Sequence, residues 1–346
     1  MNRQSRRIVN LFAVLIVAAI AMIGLAGCGT APATSGGSAQ TGTGTQGNSE
    51  EWYVYLASVT QVPFWTDQKR ALEDAAKELG VKATFEGPTT ADPQAEAAAL
   101  DQIIARRPAG IMVFPPDDKT LVDGINRAVE AGIPVITMIG DVPTSKRFAH
   151  IGIDNYRAGE EGAKMLCEAV GGKGKVVIGT FQAAGVLDRV RGYKDYLARN
   201  CPNVQVVQVV DDHADPAYAP SAYAAAIAKY PDLAGIGGTD GDSGVGAARA
   251  VIEAGKKGQI KIVAMDRNAD MLPYIKDGTI YGSVAQKSYT ETYLAIHLLY
   301  WLHHNQLPIV ADWKSAGINP LPEQIDTGVI PITANNVDQF MPKQGE

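Results

Sequence analysis

Residues 52–85, WYVYLASVTQVPFWTDQKRALEDAAKELGVKATF, change hydrophobic period twice within one short stretch. Residues 52–58 (WYVYLAS) are an apolar, aromatic and β-branched run of strand length. After Thr66, the residues Leu72, Ala75, Ala76 and Leu79 follow the i, i+3, i+4, i+7 spacing that lays one stripe along a helix. Gly80 ends that helix, and residues 81–85 return to a strand. A helix between two strands is the crossover that parallel pairing requires, because a tight turn can join only antiparallel strands.

The alternation continues outward. Asp92-Pro93 supplies an N-cap and first-turn pair for a helix reaching Arg106. Strands at 110–114 and 134–139 bracket a helix carrying Leu121, Val122, Ile125, Ala128 and Val129, and a strand at 148–153 closes the first half. The second half repeats the plan, with strands at 175–180, 204–210, 233–237, 260–265 and 280–285. Nearly continuous apolar strands separated by helices mark parallel sheets covered on both faces. The fold class is therefore α/β, with two doubly wound parallel-sheet domains. The chain's 346 residues suit two domains, and 46% hydrophobic content is too high for a disordered chain.

Toward the N-terminus the pattern changes. Arg3, Arg6 and Arg7 precede an apolar run over residues 8–25 that ends in Leu25-Ala26-Gly27-Cys28. The run is long enough for a membrane span, but a basic flank and small residues before a cut also describe a secretory signal. A cysteine directly after Leu-Ala-Gly resembles the bacterial lipobox, which implies cleavage before Cys28 and a lipid on its thiol. Both alternatives put the rest of the chain outside the cytoplasm, at a membrane surface. Residues 1–27 are thus expected to be a lipoprotein signal and residues 28–50, poor in charge and in large apolar side chains, a flexible tether. Removing three arginines and no acid would take the net charge from −6 to −9. No basic tail or domain is present to suggest a nucleic-acid partner.

In open α/β sheets ligands bind beyond the carboxyl ends of the strands, so the residues just after each strand are the candidates. Phe64 and Trp65 follow the first strand and Asp141 the fourth. Arg189, in Asp188-Arg189-Val190-Arg191-Gly192-Tyr193, follows the sixth, and Asp211, Asp212, His213 and Asp215 follow the seventh. Asp240, Asp266 and Gln286 follow the eighth, ninth and tenth. Carboxylates accept from hydroxyls, a guanidinium donates in a fixed fork, and aromatic faces cover the C–H side of a sugar ring. That combination suits a polyhydroxylated ligand.

From Trp52 to the end the chain resembles the ribose-type family of sugar-binding proteins that serve bacterial ABC transporters. The resemblance rests on Pro63-Phe64-Trp65, on the Arg189-x-x-Gly192-Tyr193 step, on Asp266, and on Gln286 twenty positions later. It implies a type I periplasmic-binding-protein-like fold whose domains are joined by a hinge of several crossings. Those crossings are expected near Asp154, near Gln286 and within residues 312–317. One domain would comprise 51–153 plus 286–313, and the other 154–285 plus 314–346, with a last strand near 327–332 added to the second. The resemblance also implies that Phe64 and Trp65 sandwich the sugar, that Arg189 donates to its oxygens, and that Asp240 stands where ribose binders have asparagine. Three departures stand out: Val62 replaces an amide, Ile139-Gly140-Asp141 replaces an Asp-Arg pair, and no aromatic lies near His213-Ala214.

Each site residue also has a structural alternative. Phe64 and Trp65 could anchor the first helix, although two adjacent aromatics are not expected to face inward together. Arg189 could pair with Asp188 at the surface, while Asp240 and Asp266 could cap turns. Gly171-Gly172-Lys173-Gly174-Lys175 precedes a strand and lacks phosphate-loop spacing, so it reads as a turn. His297, His303 and His304 share a helical stretch without a metal-binding spacing, and three cysteines exclude a four-cysteine zinc site. Cys167 and Cys201 are left as a possible disulfide, since proximity cannot be read from sequence. No cofactor is expected. The expected function is an extracytoplasmic, lipid-anchored monomer that captures a small sugar or polyol and delivers it to ABC transporter permease subunits. The alternatives are a sugar- or autoinducer-sensing receptor of the same fold, or a carboxylate-dependent sugar-processing enzyme.

Overall fold

The computed structural model describes residues 50–182 and 184–341. Cys28, the signal segment and nearly all of the tether lie outside the described residues. The first half contains β1 (Trp52–Leu56), α1 (Thr66–Leu79), β2 (Lys82–Glu86), α2 (Pro93–Ala105), β3 (Gly110–Val113), α3 (Val122–Glu130), β4 (Val135–Met138) and β5 (Ala149–Gly152). The second contains α4 (Asn155–Ala169), β6 (Gly174–Thr180), α5 (Ala184–Asn200), β7 (Val204–Asp211), α6 (Ala219–Lys229), β8 (Leu233–Gly238), α7 (Gly241–Glu253), β9 (Lys261–Met265), α8 (Leu272–Lys276) and β10 (Gly282–Gln286). Then follow α9 (Ser288–His303), β11 (Gln324–Asp326) and β12 (Val329–Thr333).

These strands form two six-stranded sheets, ordered β11-β5-β4-β3-β1-β2 and β12-β10-β9-β8-β6-β7. The first sheet is wholly parallel; in the second only β12 runs antiparallel, against β10. Each sheet has a buried apolar cluster on each face. Tyr55, Met112 and Leu299 lie on one side of the first sheet and Val54, Ile111 and Ile125 on the other; Ile236 and Val251 are matched by Ile178 and Leu166 in the second. Burial on both faces is why the inner strands are mostly apolar instead of alternating, while the edge strands β2, β7 and β11 keep polar residues. The local signals act as expected. The Asp92 side chain accepts from the amides of Gln94 and Ala95 to start α2, and Gly80 closes α1 in the left-handed region at φ 68°.

The chain passes between the lobes three times. After β5 it leaves the first sheet at Ile153-Asp154, and α4 packs on β8, β9 and β10. At Lys287 it returns, so that α9 packs on α1 and β3. The third passage is at Thr327-Gly328, between β11 of the first sheet and β12 of the second. This corrects the expected crossing within residues 312–317 and moves residues 314–326 into the first lobe. Trp313 and Leu321 are buried in the first lobe's core, with Trp313 edge-on to Phe148 at 5.5 Å. The three passages are tied together: Asp326 accepts from the Asp154 amide (3.2 Å), and Lys287 Nζ donates to the Thr327 carbonyl (2.6 Å).

Cys167 on α4 and Cys201 at the end of α5 form a disulfide with a Cα–Cα distance of 6.4 Å. It joins two helices that already touch backbone to backbone. A Cβ on Gly192 would collide with the Tyr156 carbonyl, which explains the glycine three residues after Arg189.

Candidate functional site

Among the described residues, five non-glycine residues that follow a strand have positive φ: Val59 (52°), Ile139 (65°), His213 (62°), Ala214 (49°) and Asp266 (67°). They follow β1, β4, β7 and β9, all at the carboxyl edges of the sheets. Left-handed backbone is costly, most of all for β-branched valine and isoleucine, and such strain concentrates where a binding site over-determines the geometry.

In the first lobe, Pro63–Trp65 forms a single 3₁₀ turn ahead of α1. Trp65 is only 2% exposed and its indole N–H donates to the strained Val59 carbonyl at 3.1 Å. Its ring meets Tyr55, Phe85, Phe114 and Phe64 at centroid distances of 5.9, 5.4, 5.3 and 4.9 Å. Phe64 is half-buried against the same core. Both aromatics therefore turn inward, against the expectation that neighbours diverge. Successive side chains in a 3₁₀ turn are separated by a third of a turn, whereas those of a strand point to opposite faces. Trp65 is foremost a core anchor, and Phe64 keeps the more accessible ring.

Asp141 is also placed differently from expectation. Its Oδ1 accepts from the Thr137 hydroxyl and the Val142 amide, both at 2.8 Å, and from Arg147 Nε. Its Oδ2 accepts from Arg147 Nη2 at 2.6 Å and Gln324 Nε2 at 2.8 Å. These partners hold the carboxyl below its usual range despite burial. With its lone pairs engaged, Asp141 ties β4 to β11 and is not left free for a ligand.

The second lobe does bring its predicted residues together. Arg189 is 4% exposed, donating from Nε to Asn155 Oδ1 and from Nη1 to the Thr239 carbonyl, both at 2.8 Å. Burial lowers its pKa, while Asp266, Asp240 and Glu291 hold its charge. Asp266 accepts from Gln286 Nε2 at 2.8 Å, which leaves the buried Gln286 Oε1 without a partner. Asp240 caps α7, its Oδ1 accepting from the amides of Asp242 and Ser243. Burial, and then the charge of Asp212, push Asp240 up to about 7. Burial also raises Asp266, against the pull of Arg189.

Other polar groups here were not legible as site residues. Glu291, in the first turn of α9, is 1% exposed; its Oε1 accepts from the Thr327 hydroxyl (2.8 Å) and its Oε2 has no partner. Burial pushes it up to about 7. In the first turns of α1 and α2, the Gln68 amide is unpartnered at both ends, and burial pushes Glu96 up to about 7 against the pull of Ser58. The Tyr55 hydroxyl, also unpartnered, feels the charges of Glu291 and Glu96. For Glu291, Gln68 and Glu96 the available signal was position: each lies within a helical turn of the start of its helix, and the helices of Gln68 and Glu96 follow strands.

An arginine, two carboxylates and an amide are buried at the carboxyl edge of the second sheet, in a chain that crosses three times between two lobes, the arrangement of the two-lobed α/β binding proteins. A family model for the periplasmic binding protein domain matches residues 53–304, and the chain belongs to that family, in its ribose-type sugar-binding branch. A solved arabinose-binding protein, AraP from Geobacillus stearothermophilus, superposes with a TM-score of 0.75 at 32% identity. The match covers 85% of this chain and 100% of that one. The fructose import binding protein FruE of Bifidobacterium longum is 27% identical over 278 residues, covering 77% of this chain and 81% of the relative. The xylitol-binding protein of Mycolicibacterium smegmatis is 25% identical over 278 residues, covering 80% and 77%.

Proposed function

We propose that this protein captures a small neutral sugar or polyol between its lobes and delivers it to an ABC transporter, tethered outside the cytoplasm by a lipid on Cys28. The observation that carries this reading is the buried cluster of Arg189, Asp240, Asp266 and Gln286 at the carboxyl edge of the second sheet. Such groups gain when a ligand's hydroxyls replace the water they have lost. The pentose, hexose and polyol ligands named for the relatives above support the class. Phe64 supplies an apolar ring from the first lobe, Arg189 and Gln286 Nε2 donate, and Asp266 and Gln286 Oε1 accept.

Closure of the lobes has its own support. Asp67, at the start of α1, accepts from Arg267, just after β9, across 200 positions of sequence. A ligand touching both lobes favours closure only through contacts that the open form lacks, and this ion pair is a contact of the same kind. The test is a thermal-shift screen of the full chain against pentoses, hexoses, polyols, amino sugars and nucleosides. A bound ligand at ~100 times its Kd should stabilise the fold by about 2.7 kcal/mol. A response from at least one sugar or polyol is expected, with the compound recovered chemically unchanged. Silence from every sugar and polyol would overturn the proposal, and turnover of a bound one would favour an enzyme.

A further inference from the structure

The Ser243 hydroxyl lies 2.6 Å from Asp240 Oδ2 and also 2.6 Å from Asp212 Oδ2. A hydroxyl carries one hydrogen, so it can donate to only one of these oxygens. Between two bare oxygens the other contact would be repulsive, and it needs a proton of its own. The Tyr223 hydroxyl, 2.6 Å from the same Asp212 Oδ2, uses its hydrogen there. The outer oxygens are occupied by amides, Asp240 Oδ1 accepting from Asp242 and Ser243 and Asp212 Oδ1 from Ala214. Asp212 Oδ2 already has Tyr223 as a donor and suits the Ser243 hydrogen. The unassigned proton belongs on Asp240 Oδ2, pointing at Ser243 Oγ.

We infer that Asp240 is held as a neutral carboxylic acid by Ser243 and Asp212, which act as positioning residues for the ligand site. Its neighbours make ionisation costly. Asp212, after β7, and Asp242, in α7, act on it directly; Asp211 acts on Asp212, and Asp215, Asp266 and Asp270 act on Asp242. The Tyr223 hydroxyl comes from α6, and His213 pairs outward with Asp211. Arg189 on α5 is the cation within reach, and Asp266 and Glu291 share it. If the cleft holds a neutral sugar as proposed above, a protonated Asp240 adds no further negative charge beside it, where Asp212 and Asp266 are already buried.

The test needs no ligand, so its failure is separate from failure of the sugar-binding reading. Carboxyl-carbon NMR of the aspartate-labelled full chain would follow each group with pH. One signal, assigned by its loss in Asp240→Asn, should keep its proton up to near neutral pH. In Asp212→Asn that same signal should titrate lower by about one pH unit or more, because a like charge has been removed. Packing alone would not produce that shift. Asp240 ionising near pH ~4 with ordinary aspartates would overturn the inference, as would an unmoved titration in Asp212→Asn. Should Asp212→Asn fail to fold, the wild-type titration decides alone.

Discussion

Arg189 is the most deeply buried arginine or lysine among the described residues, and Asp266 and Glu291 share its charge. Charge-assisted hydrogen bonds contribute roughly 1.5–3 kcal/mol each. Arg189→Ala should therefore lower sugar affinity by ~100-fold or more, as read by titration calorimetry. It should also destabilise the unliganded protein, because the buried Asp266 loses its counter-charge. Trp65 tests the opposite balance. With its ring enclosed by four aromatics, Trp65→Ala should cost about 3–5 kcal/mol in urea unfolding, and an unchanged unliganded stability would return it to the role of a ligand-facing wall. Position along the strand ends pointed to Arg189, Asp240, Asp266 and Gln286. It could not tell Trp65's core role from a ligand role, because that depends on a 3₁₀ turn whose direction no periodicity encodes. Nor could it show that Arg147, Thr137 and Gln324 would engage Asp141.

Elements were legible in proportion to their apolar content. The eight inner strands, β1, β3–β6 and β8–β10, are buried and carry the clearest apolar runs, the edge strands β2 and β7 are only partly buried, and α2 has its cap in Asp92-Pro93. β11 has neither: three residues, Gln324–Asp326, pair with β5 while two of them stay exposed. Without a run or an alternation to mark it, the third crossing could be placed only approximately. The α4–α5 pair was legible as two helices, but their contact rests on Gly159 and Gly192, where Cβ atoms would strike the Arg189 and Tyr156 carbonyls. Gly192→Ala should therefore push α5 away from α4 and displace Arg189, lowering both stability and sugar affinity. The Cys167–Cys201 bond closes a 34-residue separation in the same pair. Reduction should cost roughly 2–4 kcal/mol of stability, measured by urea unfolding with and without reductant. If reduction left the unfolding midpoint unmoved, the bond would not be constraining these helices.

At the scale of the whole molecule, two effects are set by charge. Asp240, Glu96 and Glu291 are each pushed up to about 7, well above their unfolded values. A carboxyl raised in the folded state stabilises the fold fully below its unfolded pKa, and that contribution is lost as pH rises through the folded pKa. The melting temperature of the unliganded protein should therefore fall between about pH 5 and about pH 8, and fall less in Asp240→Asn. The second effect is the Asp67–Arg267 pair, in which Asp67 also lies 3.5 Å from Arg70 on its own helix. In the open form that the proposed closure implies, Arg70 would keep Asp67 partnered within its own lobe. Asp67→Asn should accordingly speed ligand release, with more effect at low salt, and exchanging the charges of Asp67 and Arg267 should restore the slow rate. If the exchange left release fast, the pair would not hold the lobes together.

The proposed function turns on a neutral sugar or polyol binding between the lobes through Arg189. Titration calorimetry of the full chain against the sugars and polyols that respond in the thermal screen tests it most directly, with Arg189→Lys beside the wild type. Lysine keeps the charge but not the fork. Saturable one-to-one binding is expected, with a Kd of about micromolar or tighter that Arg189→Lys weakens ~10-fold or more. Equal affinity in the two proteins, or no binding of any sugar or polyol by the wild type, would contradict it.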